Sequence, residues 1–213
     1  MAQIVVVDYG MGNLRSVAKA IEHVATNQQV IISSDANEIA NAERVVFPGQ
    51  GAARDCMREL KDRNLTQVIL SAAKEKPFLG ICMGMQVLLK HSEENNGIDC
   101  LALYDGNVRF FGNDLKNEKN EKLKIPHMGW NGVDQKMDHP LWHNINNHSR
   151  FYFVHSYFMD PADKNLVAAT SQYGNEFVSA IAKDNVFAVQ CHPEKSAQDG
   201  LQLLKNFTQW NGQ

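Results

Sequence analysis

A chain of 213 residues with 44% hydrophobic and 21% charged residues fits one ordinary globular domain spanning 1–213, and the mixture speaks against disorder or a fibrous repeat. Lys and Arg total 21 against 24 for Asp and Glu, so a net charge of -3 offers no electrostatic footprint for nucleic acid or an anionic membrane. No run approaches the roughly 20 apolar residues of a membrane span, the opening MAQIVVVDYG lacks a basic leader, and Cys56, Cys82, Cys100 and Cys191 show no CxxC spacing; a reducing cytoplasm, without disulfides or structural zinc, is the expected setting.

In chain order, Ile4 to Val7 is a short β-branched run followed by Asp8 and the turn Gly10-Met11-Gly12, after which Asn13 can cap a helix running to about Ala25. The unit recurs with strand-like runs at Val30 to Ile32, Arg44 to Phe47 ending at Pro48, and Pro77 to Ile81 ending at Cys82, with helical stretches between them. Short continuous apolar strands alternating with helices predict a mostly parallel sheet covered on both faces. Gly112 to Lys124 is polar and reads as a solvated loop. Later runs at Phe151 to Tyr157, Phe177 to Ala182 and Val186 to Gln190 follow one another with little helix, which predicts antiparallel strands and a mixed sheet. Lys183-Asp184-Asn185 supplies a hairpin turn, and Leu201 to Trp210 a closing helix.

Chemistry concentrates at Gly80-Ile81-Cys82-Met83-Gly84, a G-x-C-x-G placed between an apolar strand and the helical pattern of Met85, Val87, Leu88 and Leu89. Flanking glycines permit the sharp strand-to-helix turn of a nucleophile elbow, and a helix start favours thiolate, whereas an isolated cysteine is more simply a core residue. A base with its own acid lies in Gln190-Cys191-His192-Pro193-Glu194: Pro193 holds His192 extended, so His192 and Glu194 project to one side and can serve as proton carrier and orienter. The plainer readings are a structural histidine or a metal ligand, and none of the eight histidines stands at metal-binding spacing from this pair. Pro48-Gly49-Gln50-Gly51 at a strand end either forms an ordinary turn or lets backbone amides approach a ligand. In the second case Gly49, Gln50 and Met83 frame an oxyanion hole, and Gly51 touches substrate. Gln86, four residues past Cys82, either returns to the same helix face or is an ordinary exposed side chain. The opening G-x-G has Arg15 where a dinucleotide fingerprint wants glycine, and no Walker lysine follows.

Together these residues resemble the class I, or triad, glutamine amidotransferases, which carry a glycine-flanked Cys and a later His-Pro-Glu; the likeness spans nearly the whole chain. Asp8-Tyr9-Gly10-Met11-Gly12-Asn13-Leu14, Pro126-His127-Met128-Gly129-Trp130-Asn131 and His192-Pro193-Glu194-Lys195-Ser196 look like the branch formed by glutaminase subunits of imidazole glycerol phosphate synthase. The resemblance implies a flavodoxin-like mixed sheet and a heterodimer with a (β/α)8-barrel cyclase subunit in histidine biosynthesis. It also implies glutamine as substrate, with no metal or cofactor. Cys82 is then the nucleophile, His192 the base, Glu194 its orienter and Gln86 a glutamine contact. Val is common in the family where this chain has Gln50, and a peptide flip there readies the donor. By the same resemblance Asn13, Trp130 and Lys195 face the synthase, where they would otherwise be a helix cap, a core aromatic and a solvated charge. The rival expectations are a subunit serving a sugar-modifying synthase, a stand-alone thiol amidase or peptidase, and a pseudoenzyme, against which an intact Cys82, His192 and Glu194 stands.

Overall fold

A computed structural model describes residues 2–213. The first half alternates strand and helix: β1 (Ala2–Val7), α1 (Leu14–Val24), β2 (Gln28–Ser33), α2 (Ala36–Asn41), β3 (Arg44–Gly49), α3 (Ala53–Asp62), α4 (Thr66–Glu75), β4 (Phe78–Cys82) and α5 (Met83–Gln86). Strands dominate the rest: β5 (His91–Ser92), β6 (Ile98–Asp99), β7 (Gly106–Phe110), β8 (His127–Gly132), β9 (Asp134–Gln135), β10 (Arg150–His155), β11 (Tyr157–Pro161), β12 (Val167–Tyr173), β13 (Asn175–Lys183) and β14 (Val186–Val189), before the closing helix α6 (Ala197–Gln209). None of the helices among the described residues is long and apolar enough to cross a membrane.

The main sheet runs β2-β1-β3-β4-β14-β13-β11-β7-β5-β6, with β12 and β9 added beside β13. Pairing is parallel from β2 through β14 and antiparallel from β14 to β13 and onward to β7, which is the mixed sheet expected. Alternate residues of β1 explain why helices cover both faces. Ile4 and Val6 pack with Val17 and Ile21 of α1 and Leu203 and Phe207 of α6, while Val5 and Val7 pack with Ile39 of α2, Leu60 of α3 and Ile69 of α4. The parallel strands β1, β3, β4 and β14 all end at one edge of the sheet, where open α/β sheets place their sites.

Two expectations need correction. Phe151 to Tyr157 is not one strand: the chain breaks at Ser156, so that β10 pairs with β8 in a separate two-stranded sheet while β11 joins the main sheet. Alternation continues through the break, and only pairing with distant strands creates it. The helix after Cys82 is a single turn, because Val87, Leu88 and Leu89 bend away, and their carbonyls accept from Leu101, Tyr104 and Ala102. All three side chains are buried, which their apolar spacing could not distinguish from a longer helix. The polar stretch at 112–124 holds one isolated bridge, Lys116 to Lys122, and is anchored by buried Leu115.

Candidate active site

Strand register assembles the site. Gly49 of β3 lies opposite Cys82 of β4, and Val189 of β14 lies opposite Ile81, so the Gly49 loop and the segment after Val189 flank the thiol on either side. Cys82 turns the chain with φ 54 and ψ -108, a left-handed backbone that non-glycine residues rarely adopt. Such a conformation costs about 1–3 kcal/mol and persists where packing fixes it. That packing is tight. A Cβ on Gly84 would overlap the Phe47 carbonyl oxygen, and one on Gly49 would run into Tyr9 Oη and lie 2.7 Å from Met83 Cβ. Glycine is required here for close approach rather than for its torsions.

His192 is held from behind. Its N–H donates to Tyr152 O at 2.8 Å, and its carbonyl accepts from Ser196 Oγ at 2.6 Å. His192 is extended (φ -106, ψ 94), as Pro193 requires, and Pro193–Lys195 then form a 3-10 turn. That turn brings Glu194 Oε1 within 2.9 Å of His192 Nδ1, with the two side chains 1% and 2% exposed. His192 Nε2 and Glu194 Oε2 are buried without hydrogen-bond partners. Burial works to lower the His192 pKa, but the neighbouring Cys82 and Glu194 outweigh it and carry it up to about 10. Cys82 contributes to that shift as a hydrogen-bonding partner would, yet Nε2 has no partner of adequate geometry. No hydrogen bond joins Nε2 to the sulfur, although both line the same cleft. Burial pushes the other thiols up, Cys56 and Cys100 to about 12 and Cys191 well above its ordinary value, which disfavours thiolate there.

Cys82 and His192 open into a cleft of about 440 Å³ lined also by Gln50, Gly51, Met83, Gln86, Glu94, Tyr157 and Lys195. Gln86 is 3% exposed, not the ordinary surface residue that was the plainer alternative. Its Nε2 donates to Tyr157 O at 2.9 Å and Gln190 Oε1 at 2.8 Å, which leaves Oε1 as the atom available to a ligand. Asn13 does cap α1, accepting from Ser16 N at 3.4 Å, and borders a small cavity shared with Gln50, His192 and Glu194. Trp130 is no core aromatic: it is 44% exposed and meets the Tyr152 ring edge-on, while Lys195 Nζ sits 5.9 Å from the centroid of the same Tyr152 ring. Met128, 62% exposed, shares that outward face of β8. Among the described residues no group of three His, Cys, Asp or Glu side chains is arranged to hold a metal ion.

Sequence reasoning missed three participants. Tyr9 Oη donates to Pro48 O at 2.9 Å and so orients the peptide entering the Gly49 loop. Glu94 lines the cleft, accepts from Ala53 N at 2.6 Å, and has its pKa raised chiefly by burial. Gln190 Nε2 lies 3.6 Å from Cys82 Sγ. Only Gln190 carried a signal, as the polar residue ending an apolar strand next to the His-Pro-Glu segment.

A family model described as glutamine amidotransferase class-I matches residues 5–210. The chain belongs to the class-I glutamine amidotransferases. It is an enzyme of glutaminase chemistry on a flavodoxin-like fold. The chain is 57% identical to "Imidazole glycerol phosphate synthase subunit HisH" of Hydrogenovibrio crunogenus, over 99% of this chain and 97% of that protein. It is 59% identical to the protein of the same name from Dechloromonas aromatica, over 97% and 96%. Among solved structures, PurLQS from Thermotoga maritima matches this amidotransferase with a TM-score of 0.68 at 19% identity, over 96% of this chain and 96% of that one, a likeness of fold.

Proposed function

We propose that this chain, as a single amidotransferase domain over residues 1–213, is the cytoplasmic glutaminase subunit of an imidazole glycerol phosphate synthase and forms a heterodimer with a (β/α)8-barrel cyclase subunit in histidine biosynthesis. The names of the relatives above favour this over a subunit serving a sugar-modifying synthase. The observation that carries the chemistry is the buried His192, tied through Nδ1 to Glu194 with Nε2 unpartnered beside Cys82.

Cys82 Sγ attacks the side-chain carbonyl carbon of glutamine, and the oxyanion is met by the backbone amides of Met83 and of Gln50, next to Gly49, once the loop presents them. His192, which keeps its proton through the neutral range, gives it to the departing ammonia. It then takes a proton from water as that water hydrolyses the glutamyl thioester to glutamate. Glu194 holds the imidazole's tautomer and charge. Gln86 Oε1 and the Glu94 carboxylate suit the α-ammonium group of glutamine, and Gly51 lines the same cleft. Ammonia in bulk water near neutrality becomes ammonium and loses its nucleophilicity, so direct transfer to the cyclase follows from the chemistry. The outward face carrying Met128, Trp130 and Tyr152, with Lys195 at the cleft mouth and Asn13 at the neighbouring sheet edge, is the surface assigned to that partner.

The test is glutamate release from glutamine by the chain alone and with its cyclase subunit. Slow release alone and a marked increase with the cyclase are expected, since a loop that must switch its donor into place can be controlled by binding. Full turnover without partner would overturn the coupling, and none under either condition would overturn the glutaminase assignment.

A further inference from the structure

Gln190 is fully buried, and its side-chain amide stands between Cys82 and Gln86. An amide has a donating and an accepting end, whereas a thiolate only accepts, so which end meets the sulfur decides whether the contact helps or repels. We propose that Gln190 is a further catalytic residue whose Nε2–H donates to the Cys82 thiolate, and that the Tyr157 carbonyl, which can only accept, keeps that end facing the sulfur by fixing Gln86. The proposal rests on Cys82 being the nucleophile.

The orientation follows from an acceptor that cannot donate. Gln86 meets the Tyr157 carbonyl at 2.9 Å, and a carbonyl cannot donate, so the Gln86 nitrogen must face it. The second hydrogen of that nitrogen points at Gln190 across 2.8 Å, which requires Oε1 of Gln190 there and leaves Nε2 toward Cys82 Sγ at 3.6 Å. The Tyr157 carbonyl also meets His155 Nδ1 at 2.8 Å, so that nitrogen carries the hydrogen and His155 Nε2 accepts. His127 Nδ1, 2.9 Å from His155 Nε2, is then the donor, and His127 Nε2 accepts from Asn131 Nδ2 at 3.3 Å. Asn131 is itself fixed, since Nδ2 also donates to Gln172 O at 2.8 Å and Oδ1 accepts from Gly132 N at 2.8 Å. Each imidazole must be neutral for this order, with one donor and one acceptor. Burial provides that, pushing His127 down to about 4 and His155 to about 3. Reversing Gln86 or Gln190 would set two acceptors or two donors against each other in a buried site, while the histidine arm meets the same carbonyl from its other side and holds it in place.

The experiment is iodoacetamide labelling of Cys82 against pH in the full chain, read by peptide mass for the unsubstituted protein, Gln190→Met and Gln190→Glu. Methionine keeps the bulk and removes the donor, and the half-labelling pH should rise by about 1–2 units, the usual worth of a hydrogen bond to a charged group. Glutamate keeps the shape and adds a competing anion, so its profile should rise further, whereas a purely structural role would make this isostere the milder change. If the methionine variant does not fold, the glutamate variant alone decides. An unmoved profile in a folded variant overturns the proposal. Failure of unsubstituted Cys82 to label ahead of Cys56, Cys100 and Cys191 would instead sink the nucleophile reading, and the proposal with it.

Discussion

Replacing Glu194 with Gln keeps an oxygen that can accept from His192 Nδ1 but removes the charge held 2.9 Å away in a buried pair. His192 is carried from its ordinary 6.5 to about 10 by Cys82 and Glu194 together, against a burial penalty. An opposite charge at this range strengthens proton binding by roughly 1.4–4 kcal/mol. A group whose pKa is raised on folding stabilises the fold fully below its unfolded value, near 6.5, and that stabilisation is lost as pH rises through the folded value, near 10. The Gln variant should therefore lose it across a window closing about 1–3 units lower, near pH 7 to 9. The alkaline limb of the glutaminase rate follows loss of the His192 proton and should fall in parallel. Urea midpoints and glutamate release, each followed from pH 6 to about 10.5 to span the cited shift, measure the two effects. A variant whose stability window and alkaline limb both match the unsubstituted protein would refute the role given to Glu194.

Replacing His192 with Ala should be harsher, destabilising the chain by about 3–5 kcal/mol near neutrality because it leaves the Glu194 carboxylate buried and uncompensated; a urea midpoint equal to that of Glu194→Gln would contradict this. Gly84→Ala places a Cβ against the Phe47 carbonyl, a backbone atom that cannot step aside, and should cost about 1–3 kcal/mol or more with loss of the elbow geometry, so an unshifted thermal midpoint would speak against the packing described. Lys195→Ala should weaken cyclase binding or coupling by about 2–5 kcal/mol if its ammonium is desolvated at the interface, against about 0–1 kcal/mol for the exposed Lys122→Ala. Equal behaviour of the two would remove Lys195 from the partner surface.

The parallel half of the fold was legible because its strands are short apolar runs that end abruptly, at Asp8, Pro48 and Cys82, and because both faces are buried. Of the second half, the hairpin of β13 and β14 and the closing helix were legible, whereas β7 and β8 were not, being partly polar and half-exposed with partners far along the chain, nor was β12, whose buried stretch is made of small and polar residues. The placement of His192 beside Glu194 could be read from one intervening proline. That Trp130 lies on an exposed face, and that Gln86 turns its nitrogen away from the cleft, depend on pairing between β8 and β10 and on the break at Ser156, neither of which has a local signature. Tyr9 and Glu94 reach the site from a turn and a short 3-10 segment whose sequences name no partner.

The most direct test of the division of labour uses Cys82→Ala in the assembled synthase, assayed for product formation with glutamine and, separately, with ammonium salt. Synthesis from glutamine should vanish while synthesis from ammonium is kept, because the acceptor chemistry lies on the other subunit. Loss of both activities, or persistence of glutamine-dependent synthesis, would contradict the assignment of Cys82 as the nucleophile that supplies ammonia to a partner.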